Sequence, residues 1–180
     1  SLRAGFRYAF SRQELIGTYV VDFIAMIFGM PNALMPAIAA SFGGVKTLGF
    51  LYAAPAVGAT IVSCFSGWTT KIRRHGIAIA LAAAGWGVAI IGFGFAPNLN
   101  LALFFLCIAG AMDGISGIFR VTLWGQTIPQ HYRGRLAGIE MISYLSGPKL
   151  GDTEAGLVAA AFGVTASIVS GGVICVIGVA

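Results

Sequence analysis

Charge is what this sequence has least of. Asp, Glu, Lys and Arg make up 9% of its 180 residues, against 58% hydrophobic, and the mean hydropathy is +0.90. A soluble domain carries charge on about a quarter of its residues, so a water-soluble globule is excluded. Cysteine is scarce as well. Cys64, Cys107 and Cys175 all lie in apolar runs without CxxC spacing, and they read as buried free thiols, neither disulfides nor metal ligands. HExxH, a nucleophile elbow and a His/Asp set at matching depth are missing too. The sequence therefore offers no catalytic residue, metal site or cofactor site, and an enzyme is not the expected reading. Alternating segments of ~10 residues, as an outer-membrane barrel needs, are absent; the apolar runs are about twice that length. The net charge of +5 is carried by short turns between these runs, which argues against nucleic acid as a partner.

What is present is a succession of long apolar stretches rich in glycine, as in helices that pack closely in lipid. The expected class is an all-α membrane protein, a bundle of six transmembrane helices. Residues 1–13, with Arg3, Arg7 and Arg12 among aromatics, suit an interfacial lead-in. Spans follow at about 14–40, 48–70, 77–96, 101–123, 136–160 and 164–180. The first should bend at Pro31 and Pro36, and the fifth is expected to be broken at Gly147-Pro148. The chain opens without Met and ends inside the sixth apolar run, so a fragment of a longer chain is expected. Basic residues alternate from turn to turn, and the positive-inside rule puts the N-terminus in the cytoplasm of a multi-pass protein.

Ionisable residues inside the apolar runs are the informative exceptions, because such groups are costly in hydrocarbon and usually face a protein interior or a water path. At ~1.5 Å per residue, Asp22 lies about 10 to 12 Å in from the cytoplasmic face, and Asp113, counted from the other side of a ~30 Å core, lies at about the same depth. Arg120 comes seven residues after Asp113 on nearly the same face, about 10 Å along the axis. Glu140, at similar depth on the next span, is its expected partner. Lys149 and Asp152, three apart, can pair on one helix. Spans three and six carry no ionisable group within their apolar runs, which marks them as the lipid-facing pair. Trp68, Trp86 and Trp124 read as interface anchors or packing groups.

A faint internal repeat runs through the same stretches. Asp22 is followed by Ile27-Phe28 and Asp113 by Ile118-Phe119, while Pro55-x-x-Gly58 is matched by Pro148-x-x-Gly151. Two inverted repeats of three spans are the architecture of many secondary transporters. Gly5-Phe6-Arg7-Tyr8, the run Ala53 to Gly58, the turn Gly67 to Gly76, Ile128-Pro129 and Arg133-Gly134-Arg135 carry a more specific likeness. In them, and over essentially its whole length, the chain resembles the C-terminal half of a major facilitator superfamily transporter. Within that superfamily it looks like the enterobactin (siderophore) exporter-like branch. The resemblance implies that the six spans are helices seven to twelve of a twelve-helix fold built as a 3+3 inverted repeat. It also implies that helices seven and ten line a central cavity, and that Gly147, Pro148 and Gly151 form a helix-bend motif. One departure stands out: the acidic position after the glycine in GWTTKIRRHG is not acidic here, which removes the acid on which an interlock would be built.

The expected function is half of a secondary active transporter, a proton-coupled exporter of a small molecule (siderophore or drug-like) working by alternating access. Asp22 and Asp113 are the candidates for proton coupling in the cavity, against the plainer readings of helix capping or a permanent salt bridge. Arg120, Glu140, Arg133 and Arg135 are candidates for a cytoplasmic latch, against positive-inside anchoring. Lys149, Asp152 and Tyr144 are candidates for cargo contact or an outer gate, against a self-neutralised pair and close helix packing. The expected partners are the lipid bilayer, a six-helix N-terminal half of the same parent chain and the cargo. The expected location is the bacterial inner membrane. The alternative is a non-transporting assembly or sensor module that keeps the fold.

Overall fold

The structure, a computed structural model, describes residues 13–29 and 32–179. Every regular element in them is helical: α1 (Gln13–Phe28), a 3-10 turn (Asn32–Leu34), α2 (Met35–Phe42), α3 (Val45–Cys64), a 3-10 turn (Ser66–Lys71), α4 (His75–Gly94), α5 (Leu99–Thr127), α6 (Gln130–Phe162) and α7 (Val164–Val179). The lead-in expected at 1–13 lies, but for Gln13, outside the described residues, as does Pro31. Among the described residues, four stretches are long and apolar enough to cross a membrane: Ile16–Phe42, Val45–Cys64, His75–Gly94 and Leu99–Thr127. These make the chain a multi-pass membrane protein.

The other two expected spans are helical as well, outside those four stretches. Helix α6 has 33 residues, about 50 Å at 1.5 Å each, and it holds Arg133, Arg135, Glu140, Lys149, Asp152 and Glu154. It is longer than a hydrocarbon core and much more charged than its neighbours. Helix α7 is apolar but spans 16 residues. The second expected span is also shorter than its apolar run. Its α-helix closes at Cys64, and the segment to Lys71 winds more tightly.

Proline has opposite effects at two places. The helix of the first span stops before Gly29 and resumes at Met35, with Pro36 in the opening positions of α2, where no helical N–H is needed. Pro148, by contrast, lies inside an unbroken α6, correcting the expected break at Gly147-Pro148. In an apolar medium an interrupted helix leaves several backbone groups unanswered, while one proline leaves a single carbonyl, that of Tyr144.

Glycine sets the helix contacts. A Cβ on Gly110 would run into the backbone of Pro55, and one on Gly58 into Cys107, so α3 and α5 cross with their backbones nearly touching. Gly151 meets the carbonyls of Met26 and Ile27, bringing α6 onto α1, and Gly87 and Gly172 do the same for α4 and α7. At the turns, Gly43 and Gly163 have φ of 125° and 92°, a region that side chains other than glycine's disfavour. Asn98 starts α5 by accepting the N–H of Leu101 at 2.9 Å.

One face of α4, the third expected span, buries Ile79, Ala82, Trp86, Ile90 and Phe93 and packs on α1, α5 and α7, while Ile77, Leu81 and Val88 stand exposed on it. The small residues along α4 admit neighbours on several sides. Of the three thiols expected to be buried, only Cys175 is; Cys107 is half-buried and Cys64 exposed.

Candidate functional site

Three of the charged residues inside the bundle, Asp22, Asp113 and Arg120, come together at one cleft. Asp22 and Met26 reach it from α1, Ala82, Ala83 and Trp86 from α4, and Met112, Asp113, Ser116 and Arg120 from α5, with Tyr144 of α6 closing one side. Its volume is about 60 Å³, well below the roughly 300–1,000 Å³ of a site that encloses a drug-sized ligand. This chain supplies a charged wall rather than a closed pocket.

Arg120 forms an ion pair with Asp22, the two side chains being 12% and 16% exposed. Sequence depth placed the two residues at different levels. The guanidinium closes that gap because its long stem runs along the apolar wall while its head seeks a carboxylate. Asp22 is thus one partner of Arg120, an assignment the sequence reading did not make. The side chain of Glu140, expected in that role, and that of Arg135 lie outside the described residues. Asp113 is exposed on the cleft, and no ion pair or hydrogen bond joins it to another described side chain. Among the described side chains, two carboxylates against one guanidinium leave the cleft one negative charge in excess.

One helical turn along from Asp22 and Arg120 lies an aromatic contact. The indole N–H of Trp124 donates to the Thr18 hydroxyl at 3.3 Å, and the ring packs on Tyr19 with centroids 5.2 Å apart. Arg133 donates to the carbonyls of Gly125 at 2.9 Å and Ile128 at 3.3 Å. It thereby answers the open C-terminal end of α5, where a cation is favoured.

Sequence comparison follows the same lines as the geometry. The chain is similar to enterobactin exporters. It is 28% identical over 152 residues to Enterobactin exporter EntS of Escherichia coli O81 (strain ED1a), and equally to the proteins of that name in Escherichia coli O9:H4 (strain HS) and Shigella boydii serotype 18. The match takes in 84% of this chain and 36% of each relative, so the chain spans little more than a third of their length. No family model and no solved structure matches it. The resemblance to a major facilitator exporter read from the sequence agrees with these relatives.

The remaining candidates divide between two levels of this exporter-like bundle. Lys149 and Asp152 do not pair, although their spacing allows it. The Asp152 carboxylate instead accepts the backbone N–H of Ala33 at 2.9 Å, at the N-terminal turn where the first span restarts and an anion is favoured. Tyr144, grouped with them from the sequence, lies at the Asp22–Asp113 cleft. Gly147 and Gly151 seat α6 on Met26 and Ile27 and do not break the helix.

Two further residues acquire roles here that their types alone did not signal. The Trp86 indole donates to the carbonyl of Gly29 at 3.0 Å, and the Tyr52 hydroxyl to that of Asn32 at 3.3 Å. With Asp152, they answer the polar backbone on either side of the break in the first span. The clue in the sequence was the pair of prolines, which implied unsatisfied backbone groups but not their partners.

Proposed function

We propose that the chain is the C-terminal half of a secondary active exporter. In this reading it contributes helices seven to twelve of a twelve-helix major facilitator fold, six spans in a bacterial inner membrane with the N-terminus of this stretch in the cytoplasm. It works by alternating access against a six-helix N-terminal half of the same parent chain, exchanging protons for a small-molecule cargo of siderophore or drug-like type.

The observation that carries the reading is the convergence of Asp22, Arg120 and Asp113 on one cleft between α1, α4 and α5. Asp113 is the proton carrier: it is exposed on the cleft, and the negative charge in excess of the ion pair is most simply neutralised there. Proton and cargo then compete for one carboxylate, the basis of exchange. The Asp22–Arg120 pair holds α1 against α5 and must rearrange as the halves rock. The cleft's small volume fits a cargo site lying between two halves, with this half supplying one wall. Element pairing supports the 3+3 arrangement. Helix α1 packs on α6 and α5 on α3, so the first helix of each repeat meets the second helix of the other. The glycine contacts of the two pairs fall at different registers, since Gly151 meets Ile27 while Gly58 meets Cys107. Likeness therefore holds by element rather than residue by residue.

Proton-driven efflux from vesicles carrying the full-length parent tests this. Asp113→Asn is expected to abolish coupling to the pH gradient while the protein still inserts. Undiminished coupled efflux would remove Asp113 from the mechanism. A second reading, an assembly or sensor module without transport, draws support from Asp22 already being neutralised by Arg120. It predicts that neutral replacements of Asp22, Asp113 and Arg120 all leave the parent's activity in the cell unchanged.

A further inference from the structure

We infer that Trp86 is the septum between two compartments stacked along the bundle, and that this ring closes the water and proton route to Asp113 from the side of Asn32. The inference deepens the exporter reading above and rests on it for direction.

The Asp22–Asp113 cleft ends against Trp86. A second cavity, of about 180 Å³, begins at the same side chain and is lined by Asn32, Met35, Tyr52, Leu106 and others. Trp86 is the single described residue that lines both. The sequence of lining residues shows that the cavities are stacked end to end. On α4, Ala82 and Ala83 belong to the cleft and Ile90 to the second cavity, with Trp86 between. On α5, Asp113 and Ser116 belong to the cleft and Leu106 and Ala109 to the second cavity. In the first span the division falls between Met26 and Asn32. Three elements thus change compartment at one level, and the ring stands at that level.

The ring is pinned there. Trp86 is 8% exposed, and its N–H is held by the Gly29 carbonyl at 3.0 Å. A Cβ on Gly29 would run into the indole, so only glycine admits the ring so close. Gly29 follows the last residue of α1, so any shift of the first span at its break either carries the acceptor with it or frees the ring. The second cavity can take water, because its walls include Asn32 and the Tyr52 hydroxyl and because Pro55 offers no N–H to the carbonyl of Leu51. A mostly apolar compartment with Asn32 and Tyr52 in its wall, the Trp86 ring and an acid-lined compartment in series form a gated path to a protonatable group.

The test uses side-specific thiol labelling of the full-length parent in a cysteine-free background, with Met112→Cys placing a thiol in the cleft. A membrane-impermeant methanethiosulfonate is added to the external face of right-side-out vesicles. Labelling is expected to be slow with Trp86 present and roughly tenfold faster with Trp86→Ala, as a minor open state becomes the main one. Trp86→Phe, which keeps a ring and loses the donor, is expected to fall between them. Rates unchanged in both variants overturn the septum. Should Trp86→Ala fail to insert, Trp86→Phe and Gly29→Ala decide on the same criterion, the latter by driving a methyl into the indole. Labelling needs no transport, so the two ideas fail separately. Absent coupled efflux with faster labelling in the variants removes the exporter reading and keeps the septum, while coupled efflux with unchanged labelling does the reverse.

Discussion

At the scale of single residues, the ion pair and the exposed acid divide the work. Asp22 and Arg120 neutralise each other in a poorly hydrated wall, where removing one partner leaves the other's charge uncompensated. Loss of one partner of a buried pair costs about 3–5 kcal/mol, whereas loss of both costs much less. Arg120→Gln and Asp22→Asn are each expected to lower the thermal unfolding temperature of the purified parent by more than the double variant does. A coupling energy of about 1–3 kcal/mol in that cycle matches two charges in contact. Strict additivity would show that the pair contributes no coupling. The sequence made the residues of this site legible because an acid within twenty apolar residues is conspicuous. Partner choice was not legible, since depth from a helical rise places the Cα and says nothing of where a long side chain ends. Arg120 accordingly found Asp22, and Asp152 found Ala33 rather than Lys149.

At the scale of elements, glycine and proline write the plan. Gly58 and Gly110 let α3 and α5 touch backbone to backbone, and a side chain at either must push the helices apart. Gly110→Val is expected to destabilise the parent by at least the ~1–3 kcal/mol typical of overpacking, read as a lower melting temperature and reduced membrane yield. Gly49→Ala, which meets open space on α3, serves as the control and is expected to leave both unchanged. Equal behaviour of the two variants would mean that the close crossing does not exist. Periodic apolar runs gave the α-helices to within a few residues, and the turns at Gly43-Gly44 and Asn98 were legible from their residue types. The effect of each proline was not, because it depends on what surrounds it. Trp86, Tyr52 and Asp152 answer the open backbone near Pro36, so the helix can break there. Gly147 and Gly151 press α6 onto α1 at Pro148, so the helix continues.

At the scale of the whole molecule, hydropathy identified a multi-pass bundle but not which helix stands where. The uncharged α4, expected at the lipid, also lies against three other helices and forms one wall of the cleft, with Leu81 and Val88 left exposed. Lipid and packed protein are similar solvents for Ala, Ile and Gly, so composition cannot tell them apart. Large apolar side chains such as Phe104, Val121, Met141 and Leu157 stand exposed on this bundle, and in the proposed assembly they meet acyl chains or the other half. What unites the three scales in the proposed reading is a carboxylate on α5 that meets water inside a membrane protein. Infrared difference spectroscopy of the full-length parent, recorded as pH is stepped in lipid, tests that most directly. A protonated-carboxyl band that rises as pH falls and vanishes in Asp113→Asn is the predicted result. A spectrum in which Asp113→Asn changes no pH-dependent carboxyl band would contradict it.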